Sequence, residues 1–161
     1  MFRSMRRKKQ CLSLQESIDI LNRRTSGVLA VSGDGGYPYA VPMSYVYCDS
    51  KIFFHSAKQG HKLDAVLGND KVSFCVVDQD EVQPQKFTTY FRSVIVFGRA
   101  HILQDDAAKR KAIGWLAEKY SPDEGPGRLA EIEREFSNLC MIELTIEHIS
   151  GKEAIELVKR K

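Results

Sequence analysis

With 161 residues, 43% of them hydrophobic and 28% charged, the chain has the size and balance of one globular domain with a sizeable core. This composition excludes extensive disorder, and no apolar run approaches the length needed to cross a bilayer. The net charge of +3, from 24 basic and 21 acidic side chains with the excess near the two ends, argues against a nucleic-acid-binding face.

Residues 1–10 carry Arg3, Arg6, Arg7, Lys8 and Lys9 with no apolar stretch after them, so they read as a basic, mobile tail on a single domain of residues 1–161 rather than a secretory signal. A cytoplasmic protein is the default that follows, with neither membrane nor nucleic acid as a partner. Cys11, Cys48, Cys75 and Cys140 are widely separated and lack zinc-site spacing, so no metal centre is expected. Cys75 and Cys140 fall inside apolar runs, where thiols behave as small buried hydrophobes.

Ser13-Leu14-Gln15-Glu16 has the form of a capping box, and Leu14, Ile18 and Leu21 recur at helical spacing, which predicts a helix over Leu14 to Arg23. Val28 to Val31 reads as a buried strand. After the turn Gly33-Asp34-Gly35-Gly36, Tyr39 to Tyr47 and Lys51 to His55 read as two more strands joined at Asp49-Ser50, completing a meander.

Residues 52–67 then form an aromatic strand ending at His55-Ser56, a polar loop with Gly60, and a helix opening on His61-Lys62. A helix start offers unpaired N–H groups and the positive end of its dipole, so this is a seat for a phosphate, with Lys62 adding charge and Ser56, His55 and His61 adding donors. The other reading of the same residues is a surface loop before an amphipathic helix that buries Leu63, Val66 and Leu67.

Lys71 to Asp78 reads as a central strand, Gln79 to Lys86 as a loop or hairpin tip, and Phe91 to Leu103 as a long strand bending at Gly98. Asp105 or Asp106 caps a helix reaching Tyr120 and buried through Trp115, after which Pro122 and Gly125-Pro126-Gly127 end it. A charged helix near Leu129 to Phe136 and a last strand from Leu139 to Ile149, closed by Gly151, complete the chain. Mostly antiparallel strands with helices outside them predict a mainly β (α+β) fold, a small barrel. No Gly-x-Gly-x-x-Gly stands between a strand and a helix, which argues against a dinucleotide-binding Rossmann unit.

Several segments resemble the nitroimidazole-resistance (Nim-like) branch of the pyridoxamine 5'-phosphate oxidase-related FMN-binding split barrels. They are Met5-Arg6-Arg7-Lys8, Tyr37 to Tyr45, Phe54-His55-Ser56-Ala57 with Gly60 to Asp64, Ser93 to Gly98, and Cys140 to Leu144. The resemblance runs from about residue 5 to about residue 152 in order. It implies a six-stranded antiparallel split β-barrel with flanking helices, and a homodimer holding FMN in clefts between its subunits. His55 and Ser56 then stand at the phosphate and ribityl chain, His61 and Lys62 at the phosphate, and Val41, Pro42, Met43, Ser44 and Tyr45 along the isoalloxazine edge. Arg92 and Ser93 would reach the ligand from the partner subunit. The oxidases have Arg before Lys in the phosphate pair, and this chain departs from them with His61.

Each assignment has a plainer rival. His55 could cap a strand, Tyr37, Tyr39, Tyr45 and Tyr47 alternate as a dimer core would, Pro42 could mark a bulge or edge, and Arg92 could be a solvated strand residue. The function implied is an FMN-dependent oxidoreductase that reduces a small, flat nitroaromatic of the 5-nitroimidazole kind, with His55 and His61 as proton donors. The alternative is a flavin- or haem-binding storage protein without turnover. Pyridoxamine 5'-phosphate oxidation is a third reading, and the Arg-rich C-terminal segment it needs has no counterpart after Gly151.

Overall fold

The computed structural model describes all residues from Met1 to Lys161. Helix α1, Leu14–Arg23, begins as its capping box dictates: Ser13 Oγ accepts from the Glu16 N–H at 3.2 Å, and the Glu16 carboxylate accepts from the Ser13 N–H at 2.8 Å. The buried face is Ser17, Ile20 and Leu21, whereas Leu14, expected on that face, is exposed.

Seven strands follow the antiparallel order β2-β1-β5-β6-β7-β4-β3: β1 Ser26–Ser32, β2 Pro38–Ser44, β3 Val46–Cys48, β4 Lys51–Ala57, β5 Lys71–Gln83, β6 Thr88–Ile102 and β7 Leu139–Glu153. Six strands were expected, and the difference lies at Tyr45, which breaks the predicted strand Tyr39 to Tyr47 into β2 and β3. These two occupy opposite edges of the sheet, so the predicted meander stops at β2. Because a single residue joins the two edges, the sheet has to roll round until they meet, although no backbone ladder closes β2 onto β3.

The interior of that roll is the main core. Leu29, Phe54, Phe74, Val94, Val96 and Leu144 are fully buried there. Tyr45 belongs to it too, its ring edge-on to Phe74 at 4.9 Å and its hydroxyl donating to the Leu21 carbonyl at 2.8 Å. Turn chemistry holds where expected, with Asp49 and Ser50 both at positive φ in the two-residue turn between β3 and β4. Gly98 sits at the β6 bulge, where a side chain would strike the Thr145 carbonyl.

Helix α2, His61–Gly68, follows β4, and α3, Asp106–Tyr120, is capped by Asp105, whose carboxylate accepts from the Ala108 N–H at 2.9 Å. Gly125-Pro126-Gly127 opens α4, Gly125–Glu135, instead of ending α3, because proline fits the first turn of a helix. Gln79 to Gln83 continues β5 up to the turn at Pro84–Lys86, and β7 runs past Gly151 to Glu153, followed by a short helix α5, Ile155–Val158. Ala112, Ile113 and Leu116 of α3 pack on Val46, Phe53 and Met141, with Trp115 tilted on Phe53 at 5.3 Å. In the basic N-terminal segment Gln10 is buried and donates to the Glu153 carbonyl at 2.8 Å. No helix is long and apolar enough to cross a membrane.

Candidate functional site

Strand β4 is buried on both faces until its end. Ile52 and Phe54 point into the roll and Phe53 meets α3; beyond them His55 is exposed while Ser56 stays buried. There a groove of about 810 Å³ opens. Ser44 at the end of β2, His55, Ser56 and Ala57 of β4, and Leu139 at the start of β7 form its sheet side. Ile113, Leu116, Ala117 and Tyr120 of α3 and Glu124, Arg128, Glu131, Ile132 and Glu135 of the α4 region form the other.

Ser56 is the residue that demands explanation. Its Oγ is buried and has no hydrogen-bond partner, the one such side-chain atom in the protein. An unmet buried hydroxyl costs roughly 1–3 kcal/mol, so its retention beside a groove points to a ligand that satisfies it. His55, next to it, keeps an open edge, yet crowding by the groove walls first and the Lys62 charge second lower its pKa below the ordinary histidine value. A neutral imidazole offers one donor and one acceptor to whatever occupies the groove.

Helix α2 starts at Gly60, whose φ of 136° suits glycine alone and which supplies no side-chain cap, so the first-turn N–H groups lack side-chain acceptors. Lys62 is half-buried and makes no ion pair or hydrogen bond. It lies close enough to His55 to act on its titration. His61 points elsewhere: it stacks on Tyr39 at 4.1 Å, and its Nε2 accepts from the Asp34 N–H at 3.2 Å, pinning the turn between β1 and β2. Asp34 Oδ2 is 3.7 Å from the same nitrogen, an ion pair available only to a protonated ring.

Of the residues expected at a flavin, the groove gathers Ser44, His55 and Ser56. Met43 and Tyr45 bury their side chains in the core and Val41 packs against it, so only their backbone can face a ligand. Pro42 stands exposed opposite Val28 on the outer side of the sheet. Arg92 and Ser93 do not line the groove; Arg92 donates to Glu153 at 3.1 Å. Sequence reading missed Tyr120, whose hydroxyl accepts from the Tyr45 N–H at 3.1 Å and donates to the Thr25 carbonyl, tying α3 to the sheet corner. It also missed the α4 wall, for which Pro126 at a helix start was the available signal.

The sequence pattern of the pyridoxamine 5'-phosphate oxidase family matches residues 13–153. Among solved structures, the fold matches that of a candidate 5-nitroimidazole antibiotic resistance protein from Bacteroides thetaiotaomicron, with a TM-score of 0.73 and 19% identity over 89% of this chain and 86% of that one. A FAD-binding protein from Mesorhizobium loti is 28% identical, with a TM-score of 0.61 over 90% of this chain and 97% of the other. A FAD and heme binding protein from Mycobacterium smegmatis matches with a TM-score of 0.76 and 22% identity over 91% and 74%. No curated protein matches the chain by sequence.

Proposed function

The chain belongs to the pyridoxamine 5'-phosphate oxidase family, and from that premise we propose that it is an FMN-binding oxidoreductase that reduces small, flat nitroaromatics of the 5-nitroimidazole kind. The observation that carries the reading is the unpartnered, buried Ser56 hydroxyl in a groove of flavin size. The donor set around it suits a phosphorylated ligand. Ser56 donates to a phosphate or ribityl oxygen, the uncapped start of α2 adds N–H groups, and the unpaired Lys62 adds charge.

When bound, flavin supplies the electron-transfer chemistry that side chains lack. The chain's own part is position and protons. Ile113, Leu116 and Ile132 exclude water from the groove. His55, neutral near pH 7, holds a proton at one ring nitrogen and exchanges it with a bound acceptor. His61 remains a proton donor in this scheme only if it leaves Asp34.

A homodimer belongs to the same proposal. Pro42, Val28, Cys75 and Ile95 are register partners across four strands, with Val77 and Phe97 beside them, and these apolar side chains are open on the outer face of the sheet. Ser93 shares that face, where a residue contributed across a subunit boundary has to stand. The four thiols are free, which supports a reducing, cytoplasmic setting.

The test is a visible spectrum of the purified protein with titration of FMN into flavin-free chain, followed by stopped-flow reoxidation of the reduced form by a 5-nitroimidazole. A flavin spectrum with accelerated reoxidation is expected. Protein that takes up no flavin overturns the proposal, and uptake without acceleration replaces the reductase with a storage protein.

A further inference from the structure

The groove has two unlike walls. Its sheet side offers Ser44, His55 and Ser56 and no carboxylate, while the helical side presents Glu124, Arg128, Glu131 and Glu135 at successive helical turns, one stripe of α4 and its cap. The four are not equally free. Arg134, which lies outside the groove, holds Glu131 at 2.6 Å and approaches Glu135 at 3.6 Å. Glu124 has no ion-pair partner, and the only cation on this wall, Arg128, donates to the Ser121 and Pro122 carbonyls at 2.8 and 3.1 Å. Across the groove from them lies Ser56, whose buried hydroxyl has no partner and is free to be met by a ligand seated against the stripe.

We propose that the α4 stripe selects the second ligand of the groove by charge, admitting flat aromatics with a cationic or hydrogen-bond-donating substituent and turning away those with a carboxylate or phosphate. This deepens the flavin reading above and rests on it. Between Ile113, Leu116 and Ile132 the local dielectric is lower than in water, so like-charge repulsion from Glu124 and its neighbours reaches a bound anion with less screening. The carboxylates of Glu124, Glu131 and Glu135 attract an ammonium, and exclusion of the wrong charge is the stronger source of selectivity.

Titration calorimetry on flavin-loaded protein decides the matter with two probes of one shape, 4-nitrobenzylammonium and 4-nitrophenylacetate. At low salt the cation is expected to bind roughly fivefold tighter or better, and the preference should shrink toward unity at about 0.5 M salt. The triple variant Glu124→Gln, Glu131→Gln, Glu135→Gln should lose the preference at low salt, and if it fails to fold the salt series on the native protein decides. Equal affinity, tighter binding of the anion, binding of neither probe, or a preference that survives the triple variant or high salt overturns the inference. Repeating the titration on flavin-free protein separates the two failures. A chain that takes no flavin refutes the proposed function, while the probes in the open groove still report whether the wall sorts by charge.

Discussion

Arg92 and Glu153 face each other across the β6–β7 ladder as register partners, and the guanidinium reaches the carboxylate at 3.1 Å. Glu153 is buried and also holds Lys161 at 2.7 Å, so strands β6 and β7 and the chain end converge on one carboxylate. Arg92→Met should destabilise the fold by about 2 kcal/mol, less than for a fully buried pair because Lys161 stays and water reaches the Arg92 site. Urea denaturation measures this. A flavin affinity unchanged in the variant assigns Arg92 to structure, whereas a loss of tenfold or more gives it the role across the subunit boundary.

Ser56→Ala separates ligand from scaffold. Removing an unpaired buried hydroxyl should leave the unliganded protein at equal or slightly higher Tm, while FMN affinity falls by about 1–2 kcal/mol. Calorimetry and thermal melts on the same preparation check both halves. A variant that melts lower yet binds FMN normally would show that the hydroxyl serves the fold.

Lys62→Ala should weaken FMN by about 1–3 kcal/mol, with the deficit shrinking as salt rises. His61→Ala should cost less, because that ring is engaged with Tyr39 and Asp34 in the free protein. Fluorescence titration of FMN against both variants gives the order, and a larger loss at His61 would mean that the ring swings to the phosphate on binding.

Asp78 supplies the acid limb of stability. Burial raises its pKa, but hydrogen bonds and charge from Arg23 and Arg24 outweigh that and leave it below the ordinary carboxylate value. A depressed folded pKa stabilises the native state fully above the unfolded value of about 4, and that contribution is lost as pH falls through the lower folded value. Urea midpoints measured from pH 7 down to about pH 2.5 should therefore drop less steeply in Asp78→Asn, which starts from a lower plateau. Parallel curves would place the acid sensitivity elsewhere.

Local chemistry made much of this molecule legible. Ser13 and Glu16 set the start of α1, Asp49-Ser50 the hairpin and Asp105 the start of α3, while of the segment from strand to glycine to helix only His55, Ser56 and Ala57 line the groove. Long-range closure was not legible. Nothing in Tyr45 itself says that its two neighbours belong to opposite edges, because that depends on β4 finding β7 across the chain. Gln79 to Gln83 lacks apolar alternation yet pairs with β6, since an exposed hairpin arm needs backbone partners more than a buried face. Gly125-Pro126-Gly127 carries stop and start signals together, and only the packing of α4 against α3 decides between them.

The two borders of the sheet differ in how they refuse a stranger. β2 carries Pro38 and Pro42, which have no N–H to offer, and β3 is only three residues long, too brief to template another strand. Neither margin can seed end-on growth, so fibre formation is disfavoured from the outset. In the homodimer proposed above, pairing is left to the flat of the sheet, and a face used once by each copy would yield a finite particle.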